Sequence, residues 1–424
     1  MKNEFIPVTK FVNHPPRSCL TAAAKYGLLT AIAVLPFVSR CGTAYADFSD
    51  TKQTIRGFGA ATVTWQGSIP SSYFDVGYGT TSGNLAGSVG LTIARIRIPP
   101  STSSSGWASE VANGAAAKSR GAIIMATPWS PPASMKDNNS TVQGHLNSSS
   151  YSAYANNLVN FTHYCSDNGC SLYAISVQNE PDITVTYESC IWSASQLETF
   201  CANNMGVFYS TKVIMPESYH FDHSMSDPTL NNSTAASHVD IIGGHIYGGG
   251  LTSYSLATSK GKELWMTEHL DNDTSLSAVI GTGKEISDCM NIGGFNAYLW
   301  WYLKRDYGPV DENGNRTKRG CVMAQFARWI RPGAQRVNCT YNPQSNVYVT
   351  AYKSDGKAVI VAVNTGSSSV YQPFQLQNWT SVSSVTRYRT SSSEDLTTTG
   401  SISLSNNSFG AMLPAQSVST FVQN

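Results

Sequence analysis

Residues 122–180 carry the pattern that decides the fold class. AIIMATP (residues 122–128) is a short apolar and β-branched run, and YAISVQNE (residues 173–180) is a second one. Between them, YSAYANNLVNFTHYCSDN (residues 151–168) places aromatic and apolar residues at three- and four-residue steps, the spacing of one helix face. A run, a helical stretch and another run predict two parallel strands joined by a helix.

The same pattern recurs along most of the chain. Six further runs end at turns, and polar or amphipathic stretches of helical length separate the runs: 54–62, 91–99, 212–217, 240–247, 263–268 and 296–305. Eight strand–helix units in about 250 residues are typical of a closed (β/α)8 barrel. The sequence therefore predicts an α/β fold, a TIM barrel, over residues 54–330.

The pattern changes after Arg331-Pro332-Gly333, which stops helical propagation. Residues 347–352, 358–363 and 417–422 are strand-like runs separated by Gly, Ser and Asn turns. This period of two predicts a tightly associated antiparallel β-sandwich side domain over residues 331–424.

Composition limits the classes of partner. Charged residues make up only 13% of the 424 residues, and the formal net charge is +1. Such a chain has no long-range field for nucleic acid or for an anionic membrane surface. We expect a neutral, hydroxyl-rich partner, no nucleic acid, no membrane and a monomer.

The N-terminal segment, residues 1–46, has the features of a signal peptide. Basic residues precede an apolar stretch at 27–38, and Ala44-Tyr45-Ala46 supplies small residues for cleavage after Ala46. A membrane anchor is the alternative, but the stretch is shorter than the roughly 20 apolar residues that span a bilayer. The sequence predicts a secreted protein, extracellular or periplasmic.

Seven cysteines remain after such cleavage, and an oxidising compartment permits disulfides between them. Cys165 with Cys170 and Cys190 with Cys201 are locally plausible pairs. The connectivity does not follow from sequence, and the odd count leaves at least one thiol over.

Metal binding has little support. The chain contains no CxxC pair, and His220, Asp222 and His223 lie close together without a third ligand group at a recognisable spacing. We expect neither a metal nor a cofactor.

Three glutamates end predicted barrel strands: Glu180, Glu217 and Glu268. In a TIM barrel the active site lies at the edge formed by the C-terminal ends of the strands, here called the C-terminal rim. By alternation, Glu180 shares a strand face with Gln178, and Glu268 shares one with Met266, so both carboxylates can point to the barrel mouth.

Glu180 and Glu268 belong to the fourth and seventh strands and can approach one sugar ring from opposite sides. Retaining glycoside hydrolysis needs two carboxyl groups about 5 to 5.5 Å apart, one as acid and one as nucleophile. The alternative is a pair of structural carboxylates at helix N-termini. Because both glutamates and several aromatic residues share the rim, we favour catalysis, with a bridging role for Glu217.

Aromatic residues at the rim are candidate substrate walls, since sugar C–H faces stack on rings. Trp129 follows the third strand, and Trp300 and Trp301 lie in the eighth, where alternation allows only one of them to face the mouth. His245 and Tyr247 share a face at the end of the sixth strand, and the tyrosine hydroxyl can hold the nucleophile ionised.

Several motifs in order resemble the bacterial xylanases of glycoside hydrolase family 30, the glucuronoxylanase group. The resemblance covers essentially the whole chain after residue 46, and its motifs are Arg56-Gly57-Phe58-Gly59, Val177-Gln178-Asn179-Glu180-Pro181, Leu264-Trp265-Met266-Thr267-Glu268, Trp300-Trp301-Tyr302 and Leu413-Pro414-Ala415-Gln416-Ser417-Val418.

That resemblance implies an endo-β-1,4-xylanase that retains configuration. It implies Glu180 as acid/base, Glu268 as nucleophile, and Asn179 as the residue that binds the sugar 2-hydroxyl. It also implies that residues 47–53 form an N-terminal strand of the β-sandwich. We then expect xylan as the partner and substrate contacts from Trp129, Tyr247 and Trp300.

Members of this group commonly require a 4-O-methylglucuronate branch, and the resemblance assigns its recognition to Arg305 and Tyr307. A guanidinium fork suits a carboxylate, and a charge-assisted bond contributes about 1.5 to 3 kcal/mol. The alternative is an ordinary surface ion pair of Arg305 with Asp306 or Asp311.

The chain departs from the group in the loop 269–274, which is shorter and lacks the usual tyrosine, and at Lys304, where an arginine is usual. Asp271 and Asp273 would repel a uronate if they lined its pocket. A xylanase indifferent to the branch is therefore one alternative, and a non-catalytic polysaccharide-binding protein is another.

Overall fold

A closed barrel of eight parallel strands forms the larger part of the protein. The structure, a computed structural model, describes residues 42–79 and 87–424. One strand, β1 (Ala44–Thr54), precedes the barrel. The barrel strands then pair in chain order, and the last one closes on the first. They are β2 (Gly57–Ala61), β3 (Ile93–Ile98), β4 (Ile123–Pro128), β5 (Ala174–Ser176), β6 (Lys212–Ser218), β7 (Ile241–His245), β8 (Glu263–Glu268) and β9 (Ala297–Tyr302).

Helices lie between successive barrel strands, and α9 follows the last barrel strand, whereas β2 follows β1 directly. They are α1 (Ser71–Tyr78), α2 (Ala108–Lys118), α3 (Tyr151–Asp167), α4 (Ala194–Asn204), α5 (Asp227–Asn231), α6 (Ser233–Ser237), α7 (Ser255–Ser259), α8 (Leu276–Asp288) and α9 (Lys318–Ala327). The predicted helical stretch becomes α3, which buries Tyr154, Leu158 and Phe161 in the main apolar core. That core joins the helices to the outward-facing strand residues.

The interior of the barrel is packed with side chains. Inward residues from alternating strand positions form a separate apolar cluster that includes Ile93, Met125, Ile214 and Trp265. Because this cluster fills the barrel, polar chemistry is confined to the C-terminal rim above it.

The second part is a mostly antiparallel sheet of nine strands in the order β15-β14-β17-β12-β11-β10-β1-β13-β16. Its further strands are β10 (Gln335–Cys339), β11 (Val347–Ser354), β12 (Lys357–Asn364), β13 (Val370–Gln377), β14 (Ser384–Thr390), β15 (Thr397–Ser403), β16 (Ser408–Leu413) and β17 (Ser417–Gln423).

This sheet folds over onto itself. Phe421 on β17 packs 5.1 Å from both Phe374 on β13 and Phe409 on β16, between ring centroids, although β17 stands far from those strands in the sheet order. Two layers enclosing one apolar core form a sandwich. The predicted fold class, a (β/α)8 barrel with a β-sandwich side domain, is confirmed.

The barrel and the sandwich share an interface at α9. The hydroxyl of Thr420 on β17 donates to the carbonyl of Gln325 at 2.8 Å, and Trp329 stacks on Tyr388 with 4.2 Å between ring centroids. Lys318 Nζ donates to the carbonyl of Ser391 at 2.8 Å. These contacts seat the side domain on the last helix of the barrel.

The strand β1 lies in the sandwich, where it runs parallel to β13 and antiparallel to β10. Ala44 and Ala46 are both buried in it. The predicted cleavage site after Ala46 therefore falls inside this strand, while the predicted apolar stretch of the signal peptide lies outside the described residues. Within the described ranges, no helix is both long and apolar enough to cross a membrane.

All seven cysteines of the described region are free thiols. Neither of the two locally plausible disulfides is formed, and a hydrogen bond with Cys170, together with burial, raises the pKa of the Cys165 thiol.

His220, one of the three residues that were considered and discounted as metal ligands, bonds the backbone carbonyl of Tyr247 through its Nδ1.

Candidate active site

Glu180 lies in the loop that follows β5, which ends at Ser176. Alternation along a strand therefore does not orient this side chain, contrary to the expectation from sequence. Its direction comes from a left-handed backbone, φ 44°, and from its N–H, which donates to the carbonyl of Glu217 at 3.0 Å. The carboxylate accepts from the Tyr187 hydroxyl at 3.0 Å and lies 3.0 Å from His245 Nδ1.

Glu268 is the last residue of β8 and is 6% exposed. Its Oε2 accepts from Arg95 Nη1 at 2.6 Å, and its Oε1 accepts from the Tyr247 hydroxyl at 2.9 Å. Burial raises the pKa of Glu268, whereas His245 and Arg95 oppose that increase. The carboxylate is thus held on both oxygens by donors.

The two carboxylates meet at the barrel mouth. One oxygen of Glu180, one oxygen of Glu268 and one ring nitrogen of His245 all lie within 4.8 Å of one another. This proximity suits the retaining geometry, in which the carboxyl groups stand about 5 to 5.5 Å apart.

Arg95 on β3 organises the floor of the site and was not recognised from sequence. Its guanidinium is fully buried and donates to Asn179 Oδ1 at 2.6 Å and to Glu217 Oε2 at 3.0 Å, besides Glu268. Its Nε donates to the hydroxyl of Thr127 at 3.2 Å. The available signal was a charged residue inside the apolar run of β3, because a buried arginine requires acceptors from elsewhere in the fold.

Glu217 lies behind the two rim carboxylates and is fully buried. It accepts from Thr127 Oγ1 at 2.9 Å and forms an ion pair with Arg95. Burial alone would raise the pKa of Glu217, but Arg95 and His245 outweigh it and lower the pKa to about 2. A carboxylate that stays charged suits a bridge in the network better than proton transfer.

His245 at the end of β7 is a second buried cation. Burial would lower its pKa, but Glu268, Glu180 and Glu217 raise the pKa to about 9. His245 and Arg95 therefore place two cationic groups against the three carboxylates of the site.

Aromatic residues form one wall of the site, in an arrangement that differs from the prediction at Trp300. Trp300 is 1% exposed and belongs to the main core, so it does not reach the rim. Trp301 is half-buried and packs beside Trp129 at 5.7 Å and Tyr302 at 4.4 Å, between ring centroids. The expected rim position of Trp300 is therefore wrong, and Trp301 lies at the rim instead, because alternation on β9 turns only one of the two rings inward.

Trp129 itself is 2% exposed and lies under Arg95, whose guanidinium carbon is 4.6 Å from the ring centroid. Its edge contacts Trp65, which is 39% exposed and follows β2. Trp129 therefore packs behind the aromatic wall, and Trp65 and Trp301 have the more exposed rings of that wall.

Sequence reasoning missed Trp65, Tyr187 and Tyr219. Tyr219 stacks on Tyr247 with 5.0 Å between ring centroids, and Tyr187 bonds Glu180. These side chains lie on three different loops, so no spacing in the sequence relates them to one another.

Arg305 and Tyr307 lie on the loop after β9. The Arg305 guanidinium carbon is 4.7 Å from the Tyr302 ring centroid, and Nη1 donates to Glu312 Oε1 at 3.2 Å. The acidic partner in the structure is thus Glu312, not Asp306 or Asp311. Burial raises the pKa of Tyr307, and Arg305 beside it opposes the increase.

Glu180, His245 and Glu268 form a ligand-type group that could be considered for a metal ion. Their donor atoms are already used: Arg95 bonds Glu268, and His245 bonds Glu180. A fixed guanidinium at the same carboxylate repels a cation. The donor chemistry therefore fits proton transfer and nucleophilic attack better than metal binding.

Comparison with known proteins gives a consistent result. No protein-family model matches the chain. The curated Glucuronoxylanase XynC of Bacillus subtilis (strain 168) is 40% identical over 391 residues, which cover 89% of this chain and 90% of that protein.

Two solved structures are similar at comparable identity. The glycoside hydrolase family 30 subfamily 8 xylanase Xyn30A from Clostridium acetobutylicum has 43% sequence identity and a TM-score of 0.85, over 90% of this chain and 99% of that chain. The GH30 endoxylanase from Clostridium papyrosolvens C71 has 41% identity and a TM-score of 0.82, over 90% of this chain and 100% of that one.

Proposed function

Because the chain belongs to glycoside hydrolase family 30, we propose that it is a secreted endo-β-1,4-xylanase that cleaves glucuronoxylan with retention of configuration. One observation carries the proposal: a carboxylate oxygen of Glu180 and one of Glu268 lie within 4.8 Å of each other at the mouth of a closed barrel. The similar proteins named above, a glucuronoxylanase and xylanases, supply the substrate class.

We assign Glu268 as the nucleophile and Glu180 as the acid/base. Glu268 receives hydrogen bonds from Arg95 and Tyr247, which orient its carboxylate and stabilise its charge. Among the residues that the structure describes, no guanidinium contacts Glu180, which accepts from Tyr187, a side chain that is 48% exposed and borders solvent. Access to water suits the group that must give and take protons.

The reaction proceeds in two displacements. Glu180 protonates the glycosidic oxygen while Glu268 attacks the anomeric carbon, which gives a covalent glycosyl-enzyme and releases the reducing-end fragment. Glu180, now a carboxylate, takes a proton from water as the water attacks the same carbon, and Glu268 leaves. Arg95 donates to Asn179 Oδ1, which orients the amide NH2 of Asn179 as a donor to the sugar 2-hydroxyl.

We further propose a preference for chains that carry 4-O-methylglucuronate. Arg305 and Tyr307 stand together beside Tyr302, and the guanidinium can bind a carboxylate with two parallel hydrogen bonds. A xylanase indifferent to the branch is the second candidate, because Glu312 already occupies one side of Arg305 and competes with a uronate.

Mass spectrometry of the oligosaccharides released from glucuronoxylan tests activity and specificity together. We expect one cut per branch from the wild type and random cutting from Arg305→Ala. Glu268→Gln should remove hydrolysis while the circular dichroism spectrum stays unchanged. Hydrolysis by a folded Glu268→Gln protein would refute the assignment of the nucleophile, and random cutting by the wild type would favour the second candidate.

We also propose that the protein is exported and that its signal peptide is cleaved after about Ala46. The mature chain then consists of a barrel over residues 54–330 and a sandwich formed by residues 47–53 and 331–424. Cleavage at that point would remove the first three residues of β1, of which Ala44 and Ala46 are buried. The intact mass of the secreted protein tests the position: a mature chain that retains Ala44 would move the cleavage site upstream.

A further inference from the structure

Arg319, near the start of α9, joins two loops of the C-terminal rim. Its Nη1 donates to the backbone carbonyls of Tyr307 at 2.6 Å and Asp271 at 2.9 Å, and its Nη2 donates to the carbonyl of Asp273 at 2.7 Å. Tyr307 belongs to the loop after β9, and the two aspartates belong to the loop after the nucleophile strand β8. One side chain therefore ties both loops together.

The environment of Arg319 makes this tie stiff. The residue is 1% exposed, its guanidinium carbon lies 4.6 Å from the ring centroid of Trp300, and its Nε donates to Thr282 Oγ1 at 3.1 Å. Burial lowers the pKa of Arg319, and Asp271 at longer range opposes the decrease. A buried guanidinium is costly unless acceptors surround it, so the loop carbonyls and Arg319 hold each other in place.

The hydrogen bonds from Arg319 also determine the conformation of the acidic loop after β8, which carries Asp271 and Asp273. The carboxylate of Asp271 accepts from the N–H of Asp273 at 2.9 Å, and that of Asp273 accepts from the N–H of Ser275 at 2.8 Å. With their carbonyls turned to Arg319, both aspartates use their carboxylates within their own loop. The positive charge of Arg319 acts on both carboxylates and offsets part of the repulsion of a uronate that the sequence suggests.

On its other side, Arg319 fixes the backbone at Tyr307, two residues after Arg305. That backbone determines where the phenol of Tyr307 stands relative to the Arg305 guanidinium. A rigid fork and a rigid phenol bind a planar carboxylate better than mobile ones, because less freedom is lost on binding.

We propose that Arg319 is a positioning residue for branch recognition, which sets Tyr307 and the acidic loop so that Arg305 can take a uronate carboxylate. The proposal rests on the function proposed above. Arg319 acts here through the backbone of its neighbours and does not touch the substrate.

The experiment compares two oligosaccharides of equal length, one with a single 4-O-methylglucuronate branch and one without. For each protein, kcat and KM are measured on both, and the ratio of the two kcat/KM values is the selectivity. We expect Arg319→Gln to lower the selectivity about tenfold or more, the scale of a lost charge-assisted hydrogen bond, chiefly through KM on the branched substrate. Arg319→Lys should restore part of it.

Arg328→Gln is the matched control, since it removes a partly buried guanidinium at the other end of the same helix, beside Trp329. We expect it to leave the selectivity unchanged. Thr282→Val gives a milder test that serves even where Arg319→Gln does not fold. It removes the acceptor of Arg319 Nε and a long hydroxyl bond to the carbonyl of Ala278 within α8, and it should lower the selectivity by a smaller factor.

The outcomes separate this proposal from the function beneath it. A folded Arg319→Gln or Thr282→Val protein with wild-type selectivity would overturn the role of Arg319 and leave branch recognition intact. A wild type with equal kcat/KM on both substrates would overturn branch recognition and the positioning role together, while xylanase activity would stand.

Discussion

Arg95 and Glu268 form a buried ion pair, with 2.6 Å between Nη1 and Oε2, although 173 positions separate them in the chain. The same guanidinium also bonds Glu217 and Asn179. The proposed nucleophile is therefore fixed to the barrel floor by a permanent charge, and the loops of the rim have only to bring Glu180 and the substrate to it.

Replacing Arg95 should damage both stability and catalysis. Arg95→Met leaves Glu217 and Glu268 buried with, among the described residues, only His245 as a nearby cation, and we expect a loss of about 3 to 5 kcal/mol in the free energy of unfolding. Denaturant unfolding measures this loss. Arg56→Lys, which alters a half-exposed pair with Glu263 at the opposite end of the barrel, should cost less than about 1 kcal/mol. Equal losses in the two variants would contradict the central role of Arg95.

Stability should fall as pH rises from about 6.5 to 9, because of His245. Burial lowers its pKa, but the three glutamates raise it to about 9, above the usual 6.5. A raised pKa in the folded state means that the stabilisation is complete below pH 6.5 and is lost as pH rises through 9. The contribution is at most about 3 kcal/mol. Melting temperatures across this range should decline in the wild type and decline less in His245→Gln, and parallel curves would exclude His245 as the source.

Tyr247→Phe should lower kcat with the fold intact. The variant removes the hydroxyl that donates to Oε1 of Glu268 at 2.9 Å and keeps the ring that stacks on Tyr219. Loss of a hydrogen bond to a charged group is worth about 1.5 to 3 kcal/mol, or roughly 10- to 100-fold in kcat. Steady-state kinetics on xylan test this. An unchanged kcat would remove Tyr247 from the proposed mechanism.

The adjacent tryptophans of β9 should respond differently to truncation. Trp300→Ala empties a site in the main core, and we expect it to cost about 3 to 5 kcal/mol of stability. Trp301→Ala should leave the melting temperature nearly unchanged and raise KM on xylan about tenfold, because a stacking surface beside Trp129 is lost. Thermal unfolding and steady-state kinetics on both variants test this difference. A raised KM in Trp300→Ala and a large loss of stability in Trp301→Ala would show that Trp300, not Trp301, faces the rim.

Local patterns predicted the fold well because the residue pattern of each strand or helix extends over only a few consecutive residues. The alternation of strand runs and helical stretches identified all eight barrel strands, including β8 with its bounds Glu263–Glu268. The sandwich was harder: β13 and β16 carry Pro373 and Gly410, which interrupt the alternation that marks a strand.

The orientation of the Glu180 side chain is a feature that such local patterns did not predict. The sequence placed it on an inward strand face, but β5 ends at Ser176 and a left-handed backbone turns the side chain instead. A strand pattern cannot encode that turn, because it depends on a hydrogen bond to Glu217 from the neighbouring strand.

The sequence by itself determined that this chain closes a parallel barrel and carries one glutamate shortly after its fourth strand and one at the end of its seventh, since periodicity and order along the chain are local properties. Only the tertiary structure decided which charges surround those glutamates. Arg95, His245 and Arg319 find their partners across the fold, and burial in a medium of low dielectric makes these contacts strong enough to set the charge and the shape of the site.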